Sequence, residues 1–338
     1  MTKSVKYGVI LANTGTPSAP TPRAVRKYLS QFLMHKRIAP MNRGLWWLIL
    51  HLAILPKRGR VSAAKYEQIW SADGSPFMVA HEQLVLGLKR AFEKDGDEVD
   101  ACVACAMSFG EPSLIGALKK LRKARCSYVV VLPLYPQSAF STTGAIQDDV
   151  KRAFKKLKWD VAYRIIDDYH DNAVYARAIA ASIKHAGFDA EQGDRVLFSY
   201  HSIPLKDIEA GDTYELQCGA SSLQIASELG IDRKFWTIGY QCRFDKGRSW
   251  LAPFTKEVLD RWAEAKVGRI FFVCPGFSVD CLETLYDVRF ELKPHYLDAC
   301  ARFDNSVREE DFIYVPCLDR TWAHARVLQS ILSPYIEE

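Results

Sequence analysis

The stretch Tyr128-Val129-Val130-Val131-Leu132-Pro133-Leu134-Tyr135-Pro136-Gln137-Ser138-Ala139-Phe140-Ser141-Thr142-Thr143-Gly144 leads directly into Ala145–Leu157. Its opening run, Tyr128–Leu134, is β-branched and apolar and reads as a strand, whereas Ala145–Leu157 places its apolar residues at helical spacing. Strand, hydroxyl-rich turn and helix form one βα unit, and the same alternation recurs along the chain. Further strands are expected at Tyr7–Ala12, Val99–Ala106 and Val161–Ile166, then at Arg195–Tyr200, Phe235–Tyr240, Arg269–Cys274 and Phe312–Val315. Helices are expected at Pro22–Met34, Met78–Glu93, Ser113–Ala124, Asn172–His185 and Trp322–Ile331. Repeated βα alternation implies parallel sheets covered by helices on both faces. Four strands followed by four more predict two similar α/β domains, residues 1–160 with 322–338, and residues 161–321.

Composition agrees with a globular chain of two domains. The 338 residues are 49% hydrophobic and 25% charged, enough apolar content for sizeable cores. The charge, 45 basic against 40 acidic residues, is +5, and no long basic run occurs, so nucleic acid is not an expected partner. The N-terminus lacks the pattern of a signal peptide, and the longest apolar stretch, Leu45–Leu55, is far short of the ~20 residues that span a bilayer. A cytoplasmic protein is expected, with peripheral contact at the inner membrane face as a further expectation. Nine cysteines, an odd number, read as reduced thiols. Cys102 and Cys105 form a C-x-x-C within a strand, where they would point to opposite faces.

In open α/β sheets ligands collect beyond the carboxyl ends of the strands, so those ends are where chemistry is expected. Ser199-Tyr200-His201-Ser202-Ile203-Pro204 closes one strand. His201 there is either a turn-bonded structural residue or a base and metal ligand active near neutral pH. After Cys274-Pro275-Gly276, a helix is expected to begin near Asp280, an N-cap-like residue. Asp280, Glu283, Asp287 and Glu291 then share one helix face, with no lysine or arginine three or four residues from any of them. Like charges so placed repel, which a bound cation, a shared proton or full solvation would offset. The turn after Tyr128–Leu134 could hold an anionic group through Ser141, Thr142 and backbone N–H groups, or merely cap a helix. The first strand runs into Asn13-Thr14-Gly15 without a G-x-G-x-x-G, and no P-loop occurs, so a nucleotide-dependent reading is weak. Leu45-Trp46-Trp47-Leu48-Ile49-Leu50, flanked by Lys36, Arg37, Arg43, Lys57, Arg58 and Arg60, suits either a flat apolar ring with acid tails, a lipid surface, or a core helix with snorkelling charges.

Together these motifs resemble the ferrochelatase family over nearly the whole chain. Leu11-Ala12-Asn13-Thr14-Gly15-Thr16-Pro17, Gly74-Ser75-Pro76, Met107-Ser108-Phe109-Gly110, Leu134-Tyr135-Pro136-Gln137 to Gly144, Ser199–Pro204, Tyr240-Gln241-Cys242-Arg243-Phe244 and Pro275-Gly276-Phe277 to Leu285 follow in the family's order. The resemblance implies two Rossmann-like, chelatase-type domains, each a four-stranded parallel sheet, with a porphyrin held in a cleft between them. It implies insertion of ferrous iron, as substrate, into protoporphyrin IX to give protohaem, without an organic cofactor. It assigns His201 and Glu283 as the catalytic pair and His201, Asp280, Glu283, Asp287 and Glu291 to the metal, the last two on a helix locally widened to π. Thr14, Met107, Tyr135, Ser141, Thr142, Trp46 and Trp47 become substrate-binding residues. Protoporphyrin-using members usually carry a larger apolar residue where this chain has Thr14, and coproporphyrin-using members carry Tyr; the lack of Tyr favours protoporphyrin over coproporphyrin as substrate. A cobalt chelatase would share fold and cleft but tends to use more histidines at the metal, and a non-enzymatic tetrapyrrole carrier would bind porphyrin without turnover; both stand as rival readings. Cys218, Cys274 and Cys281 match cluster-free members as well as holders of a [2Fe-2S] cluster, and free thiols are expected over a cluster. Cys242 replaces the Ser of many bacterial members.

Overall fold

In the computed structural model of the chain, which describes residues 5–94, 100–241, 243 and 247–336, each expected strand is present, its ends within two residues of expectation. Val99, Cys242 and Phe244 lie outside the described residues. The chain divides into two compact units, Met1–Tyr169 with Arg320–Glu338, and His170–Asp319.

In the first unit β1 (Tyr7–Asn13) is buried along its whole length, with Val9, Ile10 and Leu11 fully enclosed. A strand covered on both faces must be apolar throughout. It is followed by α1 (Pro22–Leu33), whose N-cap Thr21 accepts the Ala24 N–H and whose Pro22 suits the first helical turn. Then come α2 (Arg43–Leu48), a π-helical segment (Ile49–Ile54), α3 (Leu55–Ile69) and α4 (Pro76–Lys94). The remaining elements are β2 (Ala101–Met107), α5 (Leu114–Lys123), β3 (Tyr128–Pro133), α6 (Thr143–Leu157) and β4 (Ala162–Ile165). The strands are all parallel in the order β2-β1-β3-β4. One face of this sheet packs Ile10, Ala12, Val129 and Val131 against Leu118 and Leu121 of α5 and Ile146, Val150 and Phe154 of α6. Each such large side chain contributes about 1.5–3 kcal/mol when fully buried.

The second unit repeats the wiring: α7 (Ala173–His185), β5 (Arg195–Tyr200), α8 (Leu205–Glu209), α9 (Tyr214–Leu229), β6 (Trp236–Tyr240), α10 (Thr255–Glu264) and β7 (Ile270–Val273). A π-helix (Glu283–Leu292), α11 (Lys293–Arg302) and β8 (Phe312–Val315) follow. The order β6-β5-β7-β8 is again parallel throughout. Finally α12 (Trp322–Ile336) returns to the first unit and packs on α4, where Gln329 Nε2 donates to the Ala91 carbonyl at 3.2 Å.

α9 has no counterpart among the expected helices. Its buried face mixes Gln217, Ser221 and Ser222 with Tyr214, Cys218, Ile225, Ala226 and Leu229, while Leu216 and Leu223 point to solvent, which blurs the usual apolar periodicity. The polar face is satisfied: the Tyr200 hydroxyl donates to the Cys218 carbonyl at 3.2 Å and pairs with Ser222 Oγ at 2.8 Å, and Ser221 Oγ donates to the His170 carbonyl at 2.7 Å. The apolar stretch Leu45–Leu55 is not a core helix either. Leu45, Trp47, Leu48 and Leu52 are exposed, and only Leu50 and Leu55 are buried.

Candidate metal and porphyrin site

A sheet of order 2-1-3-4 changes winding direction between its first and third strands, and the crevice beyond their carboxyl ends is where such folds bind ligands. Both units place their unusual residues at that switch point. In the second unit the two strands are β5 and β7, which lead into His201 and into the loop from Cys274 to Cys281. Gln241, just past β6, ties these ends together: its N–H donates to the Tyr200 carbonyl at 2.6 Å and its side-chain amide reaches Cys274 Sγ at 3.8 Å.

His201 is half-buried, and its Nδ1 lies 2.6 Å from the Ser202 carbonyl oxygen. A carbonyl can only accept, so Nδ1 carries a proton, and in the neutral ring Nε2 is the nitrogen that keeps its lone pair. That tautomer is the one a proton acceptor or metal ligand requires.

The acidic residues divide into two groups. Glu283, Asp287 and Glu291 lie on the π-helix, each half-buried. Its i→i+5 hydrogen bonds widen the turn, so residues four apart stay nearly in line along one face. Asp280 differs from the sequence expectation. It is no member of the helical stripe but sits in the loop two residues before the helix, 6% exposed. Its Oδ1 accepts from Thr284 Oγ1 at 2.8 Å and from the Tyr314 hydroxyl. Thr284 Oγ1 in turn accepts the Cys281 N–H at 2.9 Å, so Thr284 rather than Asp280 satisfies the helix start. The Asp280 N–H donates to Asp319 Oδ1 at 2.6 Å, and the Asp319 N–H returns to the Ser278 carbonyl at 3.2 Å. Burial pushes the Tyr314 hydroxyl well above the ordinary tyrosine range, so it remains a donor. The Cys281 thiol hydrogen-bonds Glu283, and burial raises it far above the usual thiol range, as it does for Cys218, Cys274 and Cys317. Tyr314, Thr284 and Asp319 are not singled out by the sequence. A tyrosine on a β-strand and an aspartate after it carry no motif, and only the fold brings them to Asp280.

In the first unit the switch point lies between β1 and β3. Thr14, the residue after β1, donates its N–H to the Tyr135 hydroxyl at 3.2 Å, and the two hydroxyls are also bonded. The Thr14 N–H also meets Asn13 Oδ1 at 2.7 Å, while Asn13 Nδ2 lies 3.2 Å from His81 Nε2. His81 is fully buried, its Nδ1 sits 2.6 Å from the Phe77 carbonyl, and desolvation lowers its pKa to about 4. The neutral ring therefore donates at Nδ1 and accepts from Asn13 at Nε2, which orients the amide so that its oxygen receives Thr14. Neither Asn13 nor His81 is among the expected site residues; His81 reads from sequence as one more helical position.

The structure brings Thr14 and Tyr135 into contact and leaves Ser141 and Thr142 half-buried at the start of α6. Thr142 does not cap that helix; its hydroxyl turns back to the Ala139 carbonyl at 3.4 Å. Met107, at 1% exposure, packs beneath Gly15 instead of facing an open surface. Trp46 is half-buried with its indole N–H on the Leu33 carbonyl at 2.7 Å, whereas Trp47 is exposed and stacks on His51.

Residues 6–334 match the family model described as Ferrochelatase. The chain is 36% identical to a ferrochelatase of Nitrosococcus oceani over 98% of its own length and 87% of that protein. Against a ferrochelatase of Thioalkalivibrio sulfidiphilus it is 37% identical, over 96% of this chain and 85% of the other. An Escherichia coli ferrochelatase is 36% identical, with 98% and 99% covered. Among solved structures, SirB from Bacillus subtilis with Fe3+ superposes at TM-score 0.52 with 15% identity, covering 78% of this chain and 92% of that one. The chelatase-like DR2241 of Deinococcus radiodurans gives 0.51 at 12% identity, covering 97% and 55%. At such identities these two structures speak to the fold alone.

Proposed function

The chain belongs to the ferrochelatase family, lyases that take ferrous iron and a porphyrin as substrates in haem biosynthesis, and from that premise we propose that it metallates protoporphyrin IX to give protohaem. The observation that carries the choice of porphyrin is at position 14. Thr14 offers no phenol, and its hydroxyl and N–H are both bonded to Tyr135. Competition between protoporphyrin IX and coproporphyrin III for limiting ferrous iron under anaerobic conditions tests this. Protohaem is expected in excess, and a preference for coproporphyrin III overturns the choice.

Metallation exchanges two pyrrole protons for one divalent cation, so the site must accept protons and deliver a dehydrated ion. In the proposed roles His201 Nε2 accepts a pyrrole proton, as its tautomer suits it to do. Glu283 is its catalytic partner. With Asp280, Asp287 and Glu291 it offers oxygen ligands to a hydrated divalent ion in transit. Thr14, Tyr135, Ser141, Thr142, Trp46 and Trp47 are proposed to contact the porphyrin, with Met107 supporting the Thr14 turn from below.

The cysteines are proposed to be free thiols and not [2Fe-2S] ligands. Iron content and visible absorption of the purified protein check this. No helix among the described residues is long and apolar enough to cross a membrane. The exposed Leu45, Leu48 and Leu52, next to Arg43, Lys57 and Arg58, are proposed to rest on the cytoplasmic face of a membrane carrying anionic lipids.

A further inference from the structure

Asp280 lies in a loop, where a carboxylate would ordinarily turn to water, yet three separate elements fix it. Thr284 of the π-helix and Tyr314 of β8 both donate to Oδ1, and Asp319, beyond β8, holds its backbone N–H. Hydrogen bonds to an ionised carboxylate are stronger than neutral ones, so the side chain is held in one rotamer. With both hydroxyls on Oδ1, that oxygen is spent, and Oδ2 is the one left to meet a cation. A carboxylate so held binds through a single oxygen, the mode that suits a small divalent ion, whereas larger ions favour both oxygens.

We propose that Tyr314 is a positioning residue for metal insertion, acting through Asp280 by holding Oδ1 so that Oδ2 alone is presented to the incoming ion. The inference rests on the chelatase reading above. It assigns Tyr314 no contact with porphyrin or iron. Its effect should therefore fall on the metal's KM, leave the porphyrin's KM alone, and depend on an intact Asp280.

The test is steady-state anaerobic metallation by the 338-residue chain with ferrous iron and protoporphyrin IX. Wild type, Tyr314→Phe, Asp280→Asn and the double variant are compared. Tyr314→Phe keeps the buried ring and removes one donor while Thr284 remains. The iron KM should therefore rise about tenfold, the lower end for a hydrogen bond to a charged group. The porphyrin KM and kcat should stay within about threefold on the same argument. In the Asp280→Asn background Tyr314→Phe should change nothing further. Should Tyr314→Phe fail to fold, Thr284→Val against Thr284→Ser carries the same test: loss of the hydroxyl raises the iron KM, and its retention restores it. The inference is overturned by an unchanged iron KM, by equal changes in both KM values, or by an effect that persists without Asp280. An inactive wild type overturns the functional reading, and the inference with it; an active wild type with an indifferent Tyr314→Phe overturns the inference alone.

Discussion

Gly15 and Gly74 form a matched pair. Both belong to the first unit, and their φ angles are nearly equal, +108° and +107°. Alanine at either position must adopt a backbone conformation that costs an L-residue about 1–3 kcal/mol. Their surroundings differ. A Cβ at Gly74 meets nothing within 4 Å, whereas one at Gly15 would stand 2.0 Å from the Phe109 carbonyl oxygen and 3.1 Å from Met107 Cβ. The Phe109 carbonyl would have to recede by more than an ångström. That segment is tied to β1 by the Ser108 N–H on the Asn13 carbonyl and the Phe109 N–H on the Thr14 carbonyl, both at 2.9 Å. Straining these bonds costs about 0.5–1.5 kcal/mol each, and overpacking adds about 1–3 kcal/mol. Gly15→Ala should therefore exceed Gly74→Ala by roughly 2–6 kcal/mol. At about 2–4 °C per kcal/mol for a domain of this size, its melting temperature should fall about 4–24 °C further. Differential scanning calorimetry of both variants measures the difference. Equal melting temperatures would refute the claim that close backbone approach, and not φ alone, demands glycine at position 15.

His81 should make the first unit acid-sensitive. Its folded pKa of about 4 lies below the unfolded 6.5, so as pH falls the unfolded chain takes the proton first. The contribution, about 3 kcal/mol at 1.36 kcal/mol per unit, is fully present above pH 6.5 and is lost as pH drops towards 4. Urea midpoints measured across that window should fall more steeply for wild type than for His81→Gln; parallel slopes would contradict the assignment. At the exposed lip, Leu52 is 73% exposed, so Leu52→Glu should change stability by less than about 0.5 kcal/mol. The same substitution should reduce flotation with anionic liposomes, and a wild type that stays wholly in the soluble fraction removes the membrane proposal.

The strands are most legible where the central strands of each unit are buried on two faces, leaving short apolar, β-branched runs such as Tyr128–Leu134 and Arg195–Tyr200. The helices that escape do so for identifiable reasons. α9 buries serines among its apolar residues and exposes Leu216 and Leu223, and the lip from α2 to α3 exposes Trp47 and leucines that suggest a core. At the site, His201 is visible because a strand plainly ends there, and Glu283, Asp287 and Glu291 because of their spacing. Spacing alone also puts Asp280 in that stripe, since it cannot show that Thr284 takes over the helix start. Tyr314, Asp319, Asn13 and His81 act through partners 34 to 68 positions away in sequence, a distance no local pattern spans.

His201 is the proposed proton acceptor in porphyrin metallation, and the proposed chemistry turns on it. The decisive measurement follows anaerobic insertion of ferrous iron into protoporphyrin IX optically, for wild type, His201→Ala and Glu283→Gln. Turnover by wild type that collapses by about 10²-fold or more in both variants, with porphyrin binding retained, is the predicted result. A His201→Ala variant that metallates as fast as wild type would contradict it.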